Sequence, residues 1–584
     1  MATPSTIQNK ILEKENLLIS VKARLLYPHI GGYTSRPYDH DTGTLEPPRP
    51  TEIKALWRWW ARSLLSGAYG GTKNYKFLDK EIGEFLGRTE ETPQTSLFQL
   101  SVTATNYSDL KQQFSIYYNY LKRKYFNIER DLKNLINDFY NAYFFTTKSK
   151  GSRLWIRSVK IESFKSVKIE INSGYRDLEK AFAQNQIDLK IKFDPKIKSY
   201  NINISPEKLA ELDKINDFIK KINPNKDYSI LISTLKEHFK HGEITRHFLV
   251  SQGVPREQII SEVAVIDKYN NLNITIDLFL TFPFTQQRYP LNMLRFVLWS
   301  FFVSLILGSV GYGSRRGLGS IIVQEIKENP DLLKYYPELG TDLARFKEII
   351  ATLNNDDSEK IKKKLDELVK QAYEVAKGFK ENFKEDSSHI ANTTSFPEVP
   401  SVIPNGDFFK MKVYQCSDPL IALQCISKST LKNEWLDTLK KRQPNVDEPS
   451  GTQPIYRSQL HTWILGLPRS SKGKGYYLGR SKSNPGRRVS AIQFKLWQNK
   501  NKTFVIVYGF LSKDWKIDKL YHFARSKITQ VSREDIVYAY GQRFKPQNNN
   551  NNELLSKAFE AAWSFISEIL NKCCSGGKNG RAGH

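Results

Sequence analysis

The sequence predicts an α+β chain with more than one domain, and three observations lead to this fold class. Strand-type alternation of apolar and polar residues recurs along the chain, for example at 16–26 and 320–326. Apolar residues at helical spacing lie between such runs, as at 53–65 and 357–370. A chain of 584 residues is also longer than one hydrophobic core usually supports, so about two to four domains are expected.

The charge balance indicates a polyanionic partner. The chain has 88 basic and 61 acidic residues, which gives a net charge of +27. A surplus of this size attracts polyanions over long range and predicts binding that weakens as salt increases. The hydrophobic content of 40% is high enough for well-buried cores, so this is not the composition of a disordered basic tail.

The first predicted domain covers residues 1–330. It begins with a strand at 16–26, followed by a loop rich in Gly, Pro and Asp and by a helix at 53–65, for which Thr51 is the predicted N-cap. A tyrosine-rich, basic stretch at 107–145 predicts a helical insertion, and 206–240 predicts two more helices. The predicted strands of this domain also include 165–172, 187–193 and 273–282.

The second half predicts a charged helical linker or insertion at 331–395 and a second domain at 396–584. Its predicted strands lie near 408–416, 489–497 and 502–511, and its predicted helices near 430–441 and 553–571. The glycine-rich C-terminal tail from Cys574 onward is expected to be disordered.

Residues 291–307 are apolar and nearly long enough to span a bilayer. Because Arg295, Asn292 and two serines interrupt the run, a buried core helix is predicted and no membrane partner is expected.

The cysteines predict neither a metal site nor a disulfide framework. Only Cys416, Cys425, Cys573 and Cys574 are present, and no C-x-x-C pair occurs among them. We therefore expect no metal, no cofactor and a reducing cytoplasmic location.

A glycine-rich loop at 311–320 is the first candidate for binding. Its candidate RNA-contacting residues are Gly311, Gly313, Arg315, Arg316, Gly317 and Gly319. Glycines let backbone amides approach a ligand closely, and arginine forks match phosphate oxygens. The order is helix, loop, strand, the reverse of a dinucleotide-binding turn, and the P-loop Gly-Lys-Ser/Thr ending is absent. The alternative is a flexible connector.

A basic tryptophan helix at 53–65 is the second candidate. Lys54, Arg58 and Arg62 recur every four residues and share one face, while the tryptophans belong to an apolar stripe. The preceding Gly31-Gly32 loop adds Arg36 and two tyrosines, a combination that suits a nucleic-acid groove. The alternative is that the cations only solvate the helix.

A basic loop between residues 466 and 488 is the third candidate. It contains seven cations and no acid, and the candidate RNA-contacting residues within it are Arg469, Arg487 and Arg488. This imbalance predicts a polyanion contact, with a solvated surface loop as the alternative.

Together these motifs resemble the RAMP superfamily, the repeat-associated subunits of CRISPR effector complexes. Residues 53–65 are similar to its arginine-tryptophan helix, and residues 311–320 resemble its glycine-rich loop. The ordered set is most similar to the first-numbered Cmr subunits of type III-B complexes. The matching elements in this chain are Gly31-Gly32, Arg58-Trp59-Trp60, Leu467-Pro468-Arg469 and Arg487-Arg488-Val489-Ser490.

The resemblance implies two ferredoxin-like, RRM-related RAMP domains with helical insertions. It also implies an RNA-binding structural subunit that contacts the 3′ region of the guide RNA and the target RNA at one end of the complex, beside other Cmr subunits. In this family, target cleavage belongs to a different, repeated subunit, so no catalytic residue is expected here.

Two other functions remain open at the level of sequence. One is a metal-independent endoribonuclease in which His40, between two aspartates, acts as general base. The pair His238 and His241 has metal-ligand spacing but no completing ligand. The second open function is that of a subunit that bridges proteins without touching RNA.

Overall fold

The computed structural model describes the chain in segments. They are residues 16–27, 38–39, 44–45, 48–89, 93–104, 128–149, 151–162, 166–195, 199–233, 235–236, 271–311, 314–355, 357–380, 396–404, 406–442, 459–467, 469–471, 474–478, 488–500, 502–515, 519–523, 528–531, 535–545 and 551–575.

The described helices and strands are interspersed along the chain. The helices are α1 (Pro50–Ala68), α2 (Tyr75–Leu86), α3 (Ile128–Thr147), α4 (Tyr175–Gln184), α5 (Leu209–Ile222), α6 (Leu291–Leu307), α7 (Pro330–Tyr335), α8 (Leu339–Asn355), α9 (Ser358–Lys380), α10 (Pro419–Ser429), α11 (Lys432–Arg442) and α12 (Asn551–Ser575). The strands are β1 (Leu17–Leu26), β2 (Tyr38–Asp39), β3 (Thr44–Leu45), β4 (Phe98–Ala104), β5 (Trp155–Glu162), β6 (Ser166–Ser173), β7 (Ile191–Asp194), β8 (Ser199–Ile204), β9 (Asn271–Leu280), β10 (Ser320–Glu328), β11 (Phe409–Cys416), β12 (Arg469–Ser471), β13 (Lys474–Leu478), β14 (Ile492–Gln498), β15 (Thr503–Phe510), β16 (Leu520–Phe523), β17 (Ile528–Gln530), β18 (Ile536–Val537) and β19 (Arg543–Phe544).

The chain divides into two compact units. Unit 1 comprises Met1–His40, Leu45–Tyr107 and Asn270–His584, and unit 2 comprises Asp41–Thr44 and Ser108–Tyr269. Residues on both sides of the predicted 331–395 linker therefore belong to unit 1. The separation of 1–330 from 396–584 stays a prediction at the level of domains.

The first sheet of unit 1 has the strand order β10-β1-β9-β4, and every neighbouring pair is antiparallel. Helices α1 and α2 connect β1 to β4, and α6 connects β9 to β10. In each case another strand of the sheet lies between the two strands that are connected. This part of unit 1 therefore has a β-α-β-β-α-β order. Helix α6 is the predicted core helix, and 13 of its residues are buried.

The second sheet of unit 1 has the order β11-β15-β14, again antiparallel. Strand β15 is buried along its whole length, because helices cover both of its faces. On one face the rings of Tyr508 and Phe510 lie 5.4 and 5.9 Å from that of Trp60 in α1. On the other face Gly509 lies directly beneath Phe559 of α12. Continuous apolar strands of this kind are typical of sheets covered on both sides.

Helix α1 joins the two sheets of unit 1. The Trp57 indole donates a 2.8 Å hydrogen bond to Ser300 Oγ of α6, while Trp59 and Trp60 contact Phe510 of β15. The helix begins at Pro50 with Arg49 as N-cap, so the predicted Thr51 cap is wrong. Proline fits the first helical position because its fixed φ is helical and its missing N–H is not needed there.

The range predicted as a linker is a helical layer with its own buried contacts. Helices α8 and α9 bury apolar residues, and α9 packs against α1 and α6. Asp342 of α8 is 1% exposed, and it accepts hydrogen bonds from Arg295 at 2.7 and 3.1 Å and from the Trp299 indole at 3.0 Å.

Unit 2 contains a four-stranded antiparallel sheet with the order β5-β6-β8-β7. Helices α3, α4 and α5 share a core with it that includes Phe139, Ile169 and Ile215. Of the predicted 107–145 helical insertion, residues 107–127 lie outside the described segments, and the remainder belongs to the helix α3.

The cysteines contradict the sequence-based expectation. They pair as Cys416–Cys574 and Cys425–Cys573, because α12 continues through Ser575 and carries the last two cysteines to β11 and α10. Sequence spacing does not reveal this proximity, since each pair is separated by about 150 residues.

Searched over the described residues, no helix combines the length and the apolar character that crossing a membrane requires.

Replacing Asp342 should destabilise unit 1. In Asp342→Asn the Arg295 guanidinium loses its bidentate carboxylate, and we expect a loss of about 2–3 kcal/mol of unfolding free energy. Urea unfolding followed by tryptophan fluorescence measures this. The matched control is Asp331→Asn, whose 2.7 Å ion pair with Lys334 is exposed, and which should cost less than about 0.5 kcal/mol. Equal effects of the two substitutions would contradict the assignment.

Candidate nucleic-acid interface

The glycine loop follows α6 and is closed by its own backbone hydrogen bonds. The Val310 amide donates to the Gly319 carbonyl at 3.0 Å, and the Gly319 amide donates to the Tyr27 carbonyl at 3.0 Å. The hydroxyl of Ser320 donates to the Gly317 carbonyl at 2.8 Å. The described part of the loop is therefore a fixed turn and not a flexible connector.

Two of its glycines are required by close packing. Gly319 has φ +60°, and a Cβ there would lie 2.0 Å from the Val310 carbonyl oxygen. Gly317 has φ +86°, and a Cβ there would lie about 3 Å from the Ile426 and Leu496 side chains. Both glycines are buried, so their structural role is to let the loop lie against α10 and β14.

Strand β14, which belongs to the second sheet of unit 1, holds this loop in place through hydrogen bonds. The Phe494 amide donates to the Arg315 carbonyl at 3.0 Å, and the Leu496 amide donates to Ser320 Oγ at 2.9 Å. Between them, the buried Lys495 ammonium donates to the carbonyls of Leu305, Gly308 and Ile321. Burial lowers the pKa of Lys495 well below its usual range. Three carbonyls at the end of α6 and the start of β10 are thus satisfied by one side chain.

Arg315 and Arg316 lie at the exposed tip of the loop. Desolvation lowers the pKa of Arg315, and repulsion from Arg488 adds to this effect against an opposing contribution from Tyr508. The Arg315 side chain has no hydrogen-bond or ion-pair partner among the described residues. Its forked donors are therefore available to an anion.

The cations of α1 differ in their contacts. Arg58 donates to the carbonyls of Leu86 and Gly87 at 2.9 and 2.7 Å, and so caps the end of α2. Desolvation, reinforced by repulsion from Arg58, lowers the pKa of Lys54 to about 8. Within the described part of the chain, Lys54 has no hydrogen-bonding or acidic partner.

A polar network connects α1 to the second half of unit 1. Arg62 pairs with Asp79 at 2.6 Å and lies over the ring of Tyr75. The Tyr75 hydroxyl donates to Asp514 at 2.7 Å, and Arg488 pairs with the same carboxylate at 2.6 Å. Arg488 also lies 4.9 Å above the ring of Trp515. Arg62 and Arg488 are therefore held in place by acids and aromatic rings.

Predicted site residues from three segments interact electrostatically with one another or through Tyr75, and we call this set the basic patch. Its electrostatically linked members are Lys54, Arg58, Arg62, Arg315 and Arg488. Gly311 and Arg316 belong to the adjoining loop. Other predicted residues lie outside the described segments: Gly313, Arg36, Arg487, His40, His238 and His241. Arg469 belongs to β12, but its side chain is outside the description.

The chemistry of the patch suits phosphate. Cations of fixed position bind a phosphodiester backbone without reading its sequence, and Arg315 adds a fork that is free to pair. The sequence analysis missed Tyr75, Asp79, Asp514 and Lys495, which position these cations or the loop. No spacing or motif marks them, since their contacts join distant segments.

The sequence model of the RAMP superfamily matches residues 22–322, just over half of the chain. The chain belongs to the RAMP superfamily. The matched range extends from β1 into β10, so it contains α1 and the glycine loop of this RAMP chain.

Named relatives of this RAMP chain are Cmr subunits. CRISPR system CMR subunit Cmr1 of Saccharolobus solfataricus is 24% identical over 546 residues, with 88% of this chain and 100% of the relative covered. A chain in the cryo-EM structure of the type III-B Cmr-β complex bound to cognate target RNA and AMPPnP in the presence of ssDNA has 16% identity and a TM-score of 0.44. This match covers 96% of the present chain and 100% of the other. Apo Cmr1 from Pyrococcus furiosus has 13% identity and a TM-score of 0.36, with 94% and 96% covered.

Adding a side chain at Gly319 should disrupt the RAMP glycine loop. Gly319→Ala brings Cβ against the Val310 carbonyl at a positive φ, and we expect a loss of about 1–3 kcal/mol and a lower Tm. The control is Gly378→Ala in α9, where a Cβ meets nothing within 4 Å and should stabilise the helix by about 0.5–1 kcal/mol. Thermal unfolding of both variants compares them. An unchanged Tm in Gly319→Ala would show that the loop is not fixed.

Removing the Lys54 charge should stabilise the fold. The pKa of Lys54 falls from 10.5 to about 8 in the folded chain, so below pH 8 its charge destabilises the native state. Between pH 8 and 10.5 the unfolded chain binds more protons, and this cost disappears as the pH rises. We expect Lys54→Gln to gain about 1–2 kcal/mol at pH 7, after discounting for solvent screening, and little above pH 10.5.

Unfolding free energies at pH 7 and pH 10.5 test this dependence. Lys80→Gln, at an exposed position on the neighbouring α2, serves as the matched control and should change stability little at either pH. A gain for Lys54→Gln that is equal at both pH values would contradict the mechanism.

Proposed function

We propose that this RAMP chain is an RNA-binding structural subunit of a type III-B Cmr CRISPR complex. The observation that carries the proposal is the basic patch, to which three separate segments of the chain contribute cations beside a fixed glycine loop. In a chain with a net charge of +27, such a surface suits a polynucleotide backbone better than a small anion.

The rigidity of the patch supports binding over simple solvation. Surface arginines that only solvate a helix have no need of carboxylate partners, aromatic platforms and backbone caps. Here Arg62, Arg488 and Arg58 have such contacts, so their cationic heads are ordered before RNA arrives. Preordered groups lose less conformational entropy on binding.

The strand orders support ferredoxin-like, RRM-related domains. In the first sheet the strands, numbered by sequence within that sheet, lie in the order 4-1-3-2, with helices connecting strands 1 to 2 and 3 to 4. In the second sheet β11, β15 and β14 follow the same pattern as 1-3-2 among the described strands. We infer two RAMP domains packed within unit 1.

Similarity to Cmr1 over most of the chain supports Cmr subunits as partners. With the motif resemblance, it also supports contacts to the 3′ region of the guide RNA and to target RNA at one end of the complex, in the cytoplasm. We propose that the chain takes no part in RNA cleavage.

Loss of Arg315 or Lys54, for which the described part of the chain offers no acidic or hydrogen-bonding partner, should weaken RNA binding. We expect Arg315→Gln and Lys54→Gln each to reduce affinity for single-stranded RNA about 3- to 10-fold, and each to lower the slope of log K against log salt by about one. Fluorescence anisotropy over a range of salt concentrations measures both quantities, for the isolated chain and for the chain reconstituted with Cmr subunits. Lys80→Gln is the charge-matched control and should change neither.

Two outcomes would contradict the proposal. Unchanged affinity and slope in the Arg315→Gln/Lys54→Gln double variant would favour a protein-bridging subunit. Cleavage of labelled RNA by the wild type in the presence of a chelator, lost in His40→Ala, would favour the endoribonuclease.

A further inference from the structure

The four cysteines of the chain converge at one place. Cys416 is the last residue of β11, Cys425 lies in α10, and Cys573 and Cys574 lie in the last turn of α12. The sulfurs of Cys416, Cys425 and Cys574 lie within 4.8 Å of one another, and Cys573 is paired with Cys425. Cys416 and Cys425 are 3% and 0% exposed.

Contacts other than the disulfides also hold the segments that carry these cysteines together. Asp418 caps α10 by accepting a 2.9 Å hydrogen bond from the Ile421 amide, which sets the helix directly after β11. The ring of Trp435 in α11 stacks at 4.8 Å on that of Phe565 in α12. Buried residues such as Ile566 and Leu570 hold the end of α12 against this layer.

We propose that, in the reduced chain, these four cysteines form a structural Zn²⁺ site. Reduction of each bridge takes two electrons and two protons from a dithiol reductant, which becomes a disulfide. The four thiols then release four protons as their thiolates bind one Zn²⁺. Four thiolates at about 2.3 Å in tetrahedral geometry are a common structural zinc set. At that bond length neighbouring sulfurs are roughly 3.7 Å apart, so the sulfurs of Cys416, Cys425 and Cys574 need only small side-chain movements, while that of Cys573 has to turn from Cys425 towards the other two.

The arrangement suits one metal better than two bridges. Both pairs tie the same end of α12 to the same β11–α10 segment, at sequence separations of 158 and 148 residues. Once one bridge has closed that long loop, the second closes little additional chain and restricts the unfolded state little further. A metal uses all four sulfurs in a single cross-link whose binding free energy stabilises the folded state.

The site would anchor the C-terminal helix. Helix α12 covers one face of β15, whose other face packs on α1, so fraying of its last turn would loosen that layer. A metal at the last turn prevents this fraying.

The test is the zinc content of the reduced chain. The full-length protein, purified with a reductant and supplied with Zn²⁺, should retain one zinc per chain after gel filtration, measured by elemental mass spectrometry. Blocking the thiols with an organomercurial should release it. Co²⁺ in its place should give the visible ligand-field absorption of a tetrahedral thiolate site. Cys573→Ser/Cys574→Ser should lose the metal, whereas Lys572→Ser, at the adjacent exposed position, should keep it.

Three results would overturn the proposal, and the first needs only the wild type. In the first, the reduced wild-type chain retains no zinc and gives no Co²⁺ thiolate spectrum. In the second, the double cysteine variant retains as much zinc as the wild type. In the third, the intact mass of the wild-type chain under reductant stays four hydrogens below that of the thiol form. The last result would mean that the two disulfides are permanent bridges.

Discussion

The buried Lys495 ammonium is the interaction on which the arrangement of unit 1 depends. From the middle of β14 it satisfies carbonyls at the end of α6, in the turn after it and at the start of β10. An ammonium in an apolar interior is costly unless its donors are used, and three buried carbonyls without donors would be costly as well. Strand β14 of the second sheet supplies the donors, and the segments around the first sheet supply the carbonyls. The glycine loop is thereby held where these two sheets of unit 1 meet. The hydrogen bonds from Phe494 and Leu496 of β14 to the loop lie on either side of this contact and reinforce it.

The same constraint explains how a cationic surface can be both ordered and available. Arg62 and Arg488 are restrained by Asp79, Tyr75 and Asp514, which reduces their mobility without cancelling the surplus of positive charge. Among the residues that the structure describes, Lys54 and Arg315 lack such partners, and desolvation lowers the pKa of each. An RNA phosphate would supply the missing countercharge. The desolvated charges of Lys54 and Arg315 lower the stability of the free chain. Such a cost fits a binding role, because function and stability often compete at binding sites.

Helix α1 shows why so much of this site was predictable and where prediction stopped. Its spacing correctly separated a packed face from a cationic face, since both follow from 3.6 residues per turn. The spacing did not reveal that the packed face contacts both α6 and β15, with Trp57 hydrogen-bonded to Ser300 and the Trp60 ring tilted against that of Tyr508. Nor did it reveal that Arg58 caps α2, because the carbonyls of Leu86 and Gly87 are backbone groups without a sequence signature.

By itself, the sequence determined the features that depend on local periodicity and composition. These are the α+β class, the core helix at 291–307, the strands of the first and second sheets of unit 1 except β4, the basic character and the motifs that identify the superfamily. Only the tertiary structure decided which distant residues meet. Lys495 reaches the glycine loop from more than 170 residues away, Asp514 pairs with Arg488 and Tyr75, and four cysteines without metal-type spacing converge. Such contacts depend on how sheets and helices pack, and packing joins residues by shape and burial, which leave no fixed spacing in the sequence.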